Sequence, residues 1–269
     1  MYAIIDVGSN TVRMNIYKLE RGQLSLVMGK KESVGLASYV KNGQMLPEGV
    51  NRACEVLAEF RMILQDLGIT DYHAFATAAL RNAVNSRAAV AEIMERTGIK
   101  IEVISGETEA ELDFIGASHA VEVTDGLLVD IGGASTELVV YAGGEIKKKV
   151  SLPIGSLNTY DRYVTNLLPS RAERKSIRQM VLNLLKQDTD LYEGEYTIVC
   201  GVGGTIRAGS RVYRAAGDDH SLHADQALPQ RMGGSHAGRC PRWLPLSIHP
   251  RAGRGPFAAG TSCGGWTRR

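Results

Sequence analysis

Three glycine-rich turns carry residues suited to gripping phosphate: Asp6-Val7-Gly8-Ser9-Asn10-Thr11, Asp130-Ile131-Gly132-Gly133-Ala134-Ser135-Thr136 and Gly201-Val202-Gly203-Gly204-Thr205. Glycine lets the backbone approach a phosphate closely, successive N–H groups and hydroxyls coordinate its oxygens, and an Asp at a strand end can hold a metal or orient water. One such turn alone is more often a plain hairpin. Two Asp-Gly turns in matching settings, with a third ahead of a helix, point to phosphate binding.

The elements around these turns repeat. Met1 to Val7 is an apolar run ending at a turn, and Val12 to Tyr17 alternates as a strand does; the same succession returns at Gly126–Asp130 and Glu137–Tyr141. A strand–turn–strand unit recurring about 125 residues apart implies two related domains. Between the copies, Glu48 to Leu67 has helical spacing (Val50, Ala53, Val56, Leu57, Phe60, Leu64) and Gly68 stops it. A strand at His73–Thr77, a helix at Ser86–Thr97 ended by Gly98, and a strand at Ile99–Ile104 follow. Ser105-Gly106 opens a helix to about Val121 with two apolar stripes, Ala110/Phe114/Ala117 and Leu112/Ile115/Gly116. Such a helix is expected to be covered on both sides, at the junction of the domains. In the second half a Gly143-Gly144 turn joins two strands, Ser170 caps a helix to Lys186, and the strand Tyr196–Cys200 leads into the third turn and a helix to about Ala216. The alternation of strands and helices indicates an α/β architecture.

Composition limits the function. With 44% hydrophobic and 22% charged residues the chain can bury a substantial core. No apolar stretch approaches a membrane span and Asp6 interrupts the first apolar run, so a cytoplasmic protein without a membrane partner is expected. The four cysteines lack metal-ligand or disulfide spacing. The net charge of +2 averages an acidic body, with 24 Lys+Arg against 28 Asp+Glu up to His220, and a basic segment of seven Arg and one acid from Ser221. An acidic body excludes a general nucleic-acid binder, so a polyanion must be met by a local site. Lys147-Lys148-Lys149 is expected to be a solvated strand edge. From Ser221 to Arg269 all periodicity is lost amid Arg, Gly, Pro and Trp; a basic disordered tail and an out-of-frame translation both fit, and the composition favours the second.

The chain resembles the exopolyphosphatase/guanosine pentaphosphatase family of the actin and sugar-kinase superfamily. The resemblance is carried by Ile5 to Arg13, Ala76-Thr77-Ala78-Ala79-Leu80-Arg81-Asn82, Ile104-Ser105-Gly106-Glu107-Thr108-Glu109-Ala110, Val129 to Glu137, and Gly203-Gly204-Thr205, over about residues 1 to 216. It implies two actin-like, ribonuclease H-like α/β domains (1–120 and 121–220) flanking a cleft, the second incomplete, then an atypical tail at 221–269. It further implies a hydrolase that releases terminal phosphate from inorganic polyphosphate or guanosine pentaphosphate, as in the stringent response, using Mg²⁺. Glu109 would be the general base and Asp130 a metal or water ligand, with Asp6 a second metal ligand. Gly8, Ser9, Asn10, Thr11, Arg13, Arg81, Gly132, Gly133, Ser135, Thr136, Gly203, Gly204 and Thr205 would hold phosphoryl oxygens, and a homodimer is common among members. The helical wheel itself does not choose among Glu107, Glu109 and Glu111, all in the first turns of one helix where the dipole favours acids.

The chain departs from the family at Gly35-Leu36-Ala37, where many members carry Arg-Leu-Gly, and at Ala134, where a third Gly is usual. One substrate contact is expected to be lost and the backbone's approach to phosphate altered. Loss of the elements after the third turn would leave a non-catalytic phosphate-binding protein as the alternative. A sugar-kinase activity is disfavoured, because no sugar-binding signature accompanies the turns.

Overall fold

The computed structural model describes residues 1–119, 124–187, 191, 196, 198–215 and 242–245. The chain forms two compact units. The first comprises Met1–Glu109, Gly132–Thr136 and Pro153–Thr165; the second comprises Ala110–Ile131, Glu137–Leu152 and Asn166–Arg269.

In the first unit, β1 (Tyr2–Val7), β2 (Thr11–Glu20) and β3 (Gln23–Ser33) form an antiparallel meander, and β6 (Tyr72–Ala76) and β7 (Ile101–Val103) extend it in parallel from β1. The sheet order is β3-β2-β1-β6-β7. Period-two burial follows from the sequence: Ala3, Ile5, Val7, Val12, Met14 and Ile16 are buried, while Asp6 and Arg13 face each other on the other side of the β1–β2 pair. Helix α1 (Pro47–Asp66) opens with proline at its first turn and ends before Gly68 at φ +63°. Its Ala53, Leu57, Phe60 and Leu64 are fully buried and join Ile93 of α3 (Ser86–Thr97) in one core with the strands. A small hairpin, β4 (Val40–Lys41) with β5 (Gln44–Met45), follows the 3₁₀ turn Leu36–Tyr39.

The second unit repeats the plan. Its sheet order is β10-β9-β8-β11-β12, from β8 (Gly126–Ile131), β9 (Thr136–Ala142), β10 (Glu145–Leu152), β11 (Ile198–Val202) and β12 (Arg242–Pro245). As β6 lies parallel to β1, so β11 lies parallel to β8. Helix α4 (Gly106–Ser118) contributes Ala110, Phe114 and Ala117 to a core with Leu128, Val139, Tyr141 and Cys200. Helix α6 (Arg171–Lys186) carries the expected cap, with Glu173 N–H donating to Ser170 Oγ and the Ser170 N–H to Glu173. Helix α7 spans Gly203–Ala215.

Several elements differ from the expectation. The long strand β3 has no clean apolar alternation, because it is a sheet edge and half-exposed along its length. The short helices α2 (Ala78–Arg81) and α5 (Ser156–Tyr163) are too brief to show a helical period. On α4 only one of the two apolar stripes is covered: Leu112 and Ile115 remain 47% and 44% exposed. The first stripe alone fills the core beside β8 and β9, which corrects the expectation of burial on both sides. Within the segment read as patternless, β12 pairs in parallel with β11, since an open strand edge is completed by main-chain bonds that ask little of side-chain order. The rest of 221–269, and the expected end of α4 at 120–121, lie outside the described residues.

The difference between the stripes can be checked by urea titration. Phe114→Ala should cost ~3 kcal/mol, as a large-to-small change in a filled core does. Leu112→Ser should change stability by less than about 0.5 kcal/mol.

Candidate functional site

The first and second glycine turns close in the same way. Gly8 N–H donates to the Thr11 carbonyl at 3.0 Å, and Gly132 N–H donates to the Ser135 carbonyl at 3.0 Å. A Cβ on Gly8 would stand 2.8 Å from the Thr11 oxygen and one on Gly132 3.2 Å from the Ser135 oxygen. The first turn therefore needs glycine at this position, and the second is tight there.

Both turns lie in the first unit and touch there. A Cβ on Gly133 would meet Ser9 Cβ at 3.0 Å and the Asn10 backbone nitrogen at 3.3 Å. Around the first turn, Asn10 O accepts from the N–H groups of Val34 and Gly35, and Ser9 O accepts from Ala37, each at 2.9 Å. Gly35 sits at φ +67°, so at the departure Gly35-Leu36-Ala37 the chain clasps the turn through its main chain. The second turn is bound by α5, whose first N–H groups, on Ser156, Leu157 and Asn158, donate to Gly132 and Gly133 carbonyls. The Asn158 side chain accepts from Gly155 N–H at 2.7 Å and donates to Ala134 O at 3.0 Å. Thr136 Oγ1 donates to Ile154 O at 2.6 Å. The two departures from the family meet: Ala37 and Ala134, with Ala78, Ala79 and Asn158, line a small cavity of about 130 Å³.

The predicted phosphate ligands thus fall into two groups. Ser9 is buried and its Oγ accepts from Ala79 N–H at 3.1 Å, and Ser135 is also buried. Asn10 is exposed, and Gly8, Thr11, Arg13, Gly132, Gly133 and Thr136 are half-buried. Asp6 lies on β1, at the strand's carboxyl end, directly opposite Arg13 on β2.

Arg81 and Glu109 are brought together from the ends of two helices. Arg81 is the last residue of α2 and Glu109 lies in the first turns of α4; the guanidinium Nη1 donates to Glu109 Oε2 at 2.7 Å and to Ile104 O at 3.3 Å. Both side chains are largely withdrawn from solvent, at 15% and 19% exposure. Burial raises the Glu109 carboxyl above its ordinary range, while hydrogen bonds from Arg81 and from the Thr77 hydroxyl oppose that rise. The three acids that the helical wheel leaves equivalent are thereby distinguished. Glu107 and Glu111 are exposed, and Glu111 pairs with Lys149 at 2.5 Å on the edge strand β10.

In the second unit Asp130 meets the third turn. Asp130 and Val202 are register partners at the carboxyl ends of the parallel strands β8 and β11, where α/β sheets place their ligands. Gly203 follows at φ +87°, and a Cβ there would stand 2.1 Å from Asp130 Oδ1. Gly204 and Thr205 are exposed in the first turn of α7. Glu137 is fully buried on β9 and accepts from Ser151 Oγ at 2.8 Å. The part played by Thr77 beside Glu109 and by Asn158 at the second turn escapes sequence reasoning. For Asn158 a signal exists, a polar side chain three residues after a glycine at a helix start; for Thr77 only the fold supplies one.

Among the described residues no helix is long and apolar enough to cross a membrane, and no group of three His, Cys, Asp or Glu is placed to hold a metal ion. Asp6 and Asp130 are hard oxygen donors. That chemistry fits Mg²⁺, which is held by one or two carboxylates together with substrate phosphates rather than by a protein cage.

Comparison with known proteins places this geometry. A family model described as the Ppx/GppA phosphatase family matches residues 15–230. The exopolyphosphatase of Cytophaga hutchinsonii is similar at 27% identity and a TM-score of 0.73, over 82% of this chain and 73% of that one. The PPX-GPPA enzyme of Aquifex aeolicus is similar at 26% identity and a TM-score of 0.63, over 80% of this chain and 71% of that one. With its two α/β units of matching sheet order, this chain has the actin-like fold and belongs to the Ppx/GppA phosphatase family.

Proposed function

We propose that this chain hydrolyses terminal phosphoanhydride bonds of inorganic polyphosphate or guanosine pentaphosphate, with Glu109 as the general base. The observation that carries this reading is the withdrawn Glu109 carboxylate held 2.7 Å from Arg81, in the unit that also holds the two touching glycine turns. Anhydride hydrolysis asks the protein for positioning and charge neutralisation rather than covalent chemistry. Turn N–H groups, with Asn10, Thr11 and Arg13, orient the phosphoryl oxygens. Glu109 takes a proton from a water whose oxygen attacks the terminal phosphorus. The bridging P–O bond breaks, inorganic phosphate leaves, and the shortened chain keeps the bridging oxygen as an anion. A divalent cation bound through Asp130 would supply neutralisation of phosphate charge.

Arg81 has two roles in this scheme. Its charge holds Glu109 ionised, and when phosphoryl oxygens arrive it is shared with them. The shared guanidinium then opposes the base less, so Glu109 gains basicity as substrate binds.

Three outcomes are expected. Glu109→Gln should lower kcat for phosphate release about 10²–10⁴-fold with little change in KM; an unchanged kcat would remove Glu109 from the role. A base must be deprotonated to act, and burial raises this carboxyl, so the acidic limb of kcat/KM against pH should lie above the ordinary glutamate range. Arg81→Gln removes a lowering influence and should move that limb further to alkaline pH, whereas Arg81→Lys should largely restore it. Gly203→Ala should displace the Asp130 carboxylate, raising the Mg²⁺ concentration needed for half-maximal activity at least tenfold, by roughly the 10–100-fold cost of disturbing a ligand's support; magnesium titration of the rate measures this.

A further inference from the structure

Helix α6 begins in an arrangement that helix energetics disfavour. Arg171, Arg174, Lys175 and Arg178 occupy positions i, i+3, i+4 and i+7, one face of the helix over about 10.5 Å of its length at 1.5 Å per residue. All four side chains are exposed. The N-terminal turns of a helix favour anions, yet three of these cations lie in its first five residues. Neighbours at i,i+3 and i,i+4 within the stripe are all like-charged, which is also unfavourable.

Nothing described offsets this charge. Glu173, the acid within the segment, is committed to the cap with Ser170, and Arg174 Nη1 donates to the Pro169 carbonyl at 2.8 Å. None of the four forms an ion pair among the described residues. Ile177, Met180, Val181, Leu184 and Leu185, on another face, are half-buried or buried and account for how the helix packs. The basic face is therefore unnecessary for packing and unfavourable for the isolated helix, in a body that carries more acid than base up to His220.

We propose that this face is a docking site for a run of consecutive phosphates, the part of a polyphosphate chain away from its reacting end. The proposal rests on the polyphosphate reading of the function for its choice of ligand. Four cations spaced along one line match a linear polyanion of dense, regular charge better than a compact anion, which one or two of them would satisfy. Such binding draws on release of counterions and so weakens steeply with salt.

The test uses the full chain with Arg171, Arg174, Lys175 and Arg178 all changed to Gln, which keeps helix propensity and removes charge. Thermal unfolding should show a fold at least as stable as the wild type, because the unfavourable charges are gone. For long-chain sodium polyphosphate KM should rise at least about tenfold, and the slope of log KM against log salt should flatten by about 0.7 per cation removed. For tripolyphosphate, which leaves no run of consecutive phosphates for this face once its reacting end is bound, kcat/KM should be unchanged. Equal KM and equal salt slope on the long chain would overturn the proposal. Binding of long-chain polyphosphate to the Glu109→Gln protein, with and without the four changes, separates the stripe from catalysis: a loss of affinity there supports the docking site even if the chain hydrolyses no polyphosphate. An equal loss for single-stranded RNA in the same assay would overturn the assignment to polyphosphate and make the face a general polyanion binder.

Discussion

At Gly133 the second turn passes so close to the first that a single methyl group would press on Ser9 Cβ and the Asn10 amide. Two turns separated by about 125 residues meet here because Gly133 presents no side chain to the contact. Other features of the first unit follow from that approach. The Gly35–Ala37 segment clasps the first turn from one side through backbone bonds, and the α5 N-terminus clasps the second from the other. Amides and carbonyls that would be unsatisfied at the back of the turns are thereby paired.

The same economy governs the charged groups. A carboxylate as withdrawn as Glu109 would lose its charge without a partner, and Arg81 is that partner. The pair is built from the last residue of one helix and the first turns of another, so its geometry depends on α2, a helix of four residues. Thr77 starts that helix with its carbonyl accepting from the N–H groups of Leu80 and Arg81, and its hydroxyl turns to Glu109. One residue thus touches both sides of the Arg81–Glu109 pair.

The matching sheet orders give the repeat a physical sense. Each parallel strand pair ends at a glycine or a helix start: β1 and β6 at Gly8 and Thr77, β8 and β11 at Gly132 and Gly203. Polar main-chain groups concentrate at such strand ends, and duplication supplies two of them. Ala37 and Ala134 place methyl groups along one small cavity, narrowing the space beside both turns of the first unit.

Composition and period alone determined the α/β alternation, the repeat, and helices such as Ser86–Thr97, whose end at Gly98 is dictated by a left-handed residue. They also determined that three glycine turns would be phosphate-binding candidates, because glycine spacing is a local property of the backbone. Local pattern could not separate Glu107, Glu109 and Glu111, which are equivalent on an isolated helix. Only the tertiary structure decided among them, by bringing Arg81 from α2 to one carboxylate and Lys149 from β10 to another. It also decided which stripe of α4 is buried and that Arg242–Pro245 completes a sheet edge. Each of these outcomes depends on a partner distant in the chain, and the reach of a sequence pattern ends where its own element does.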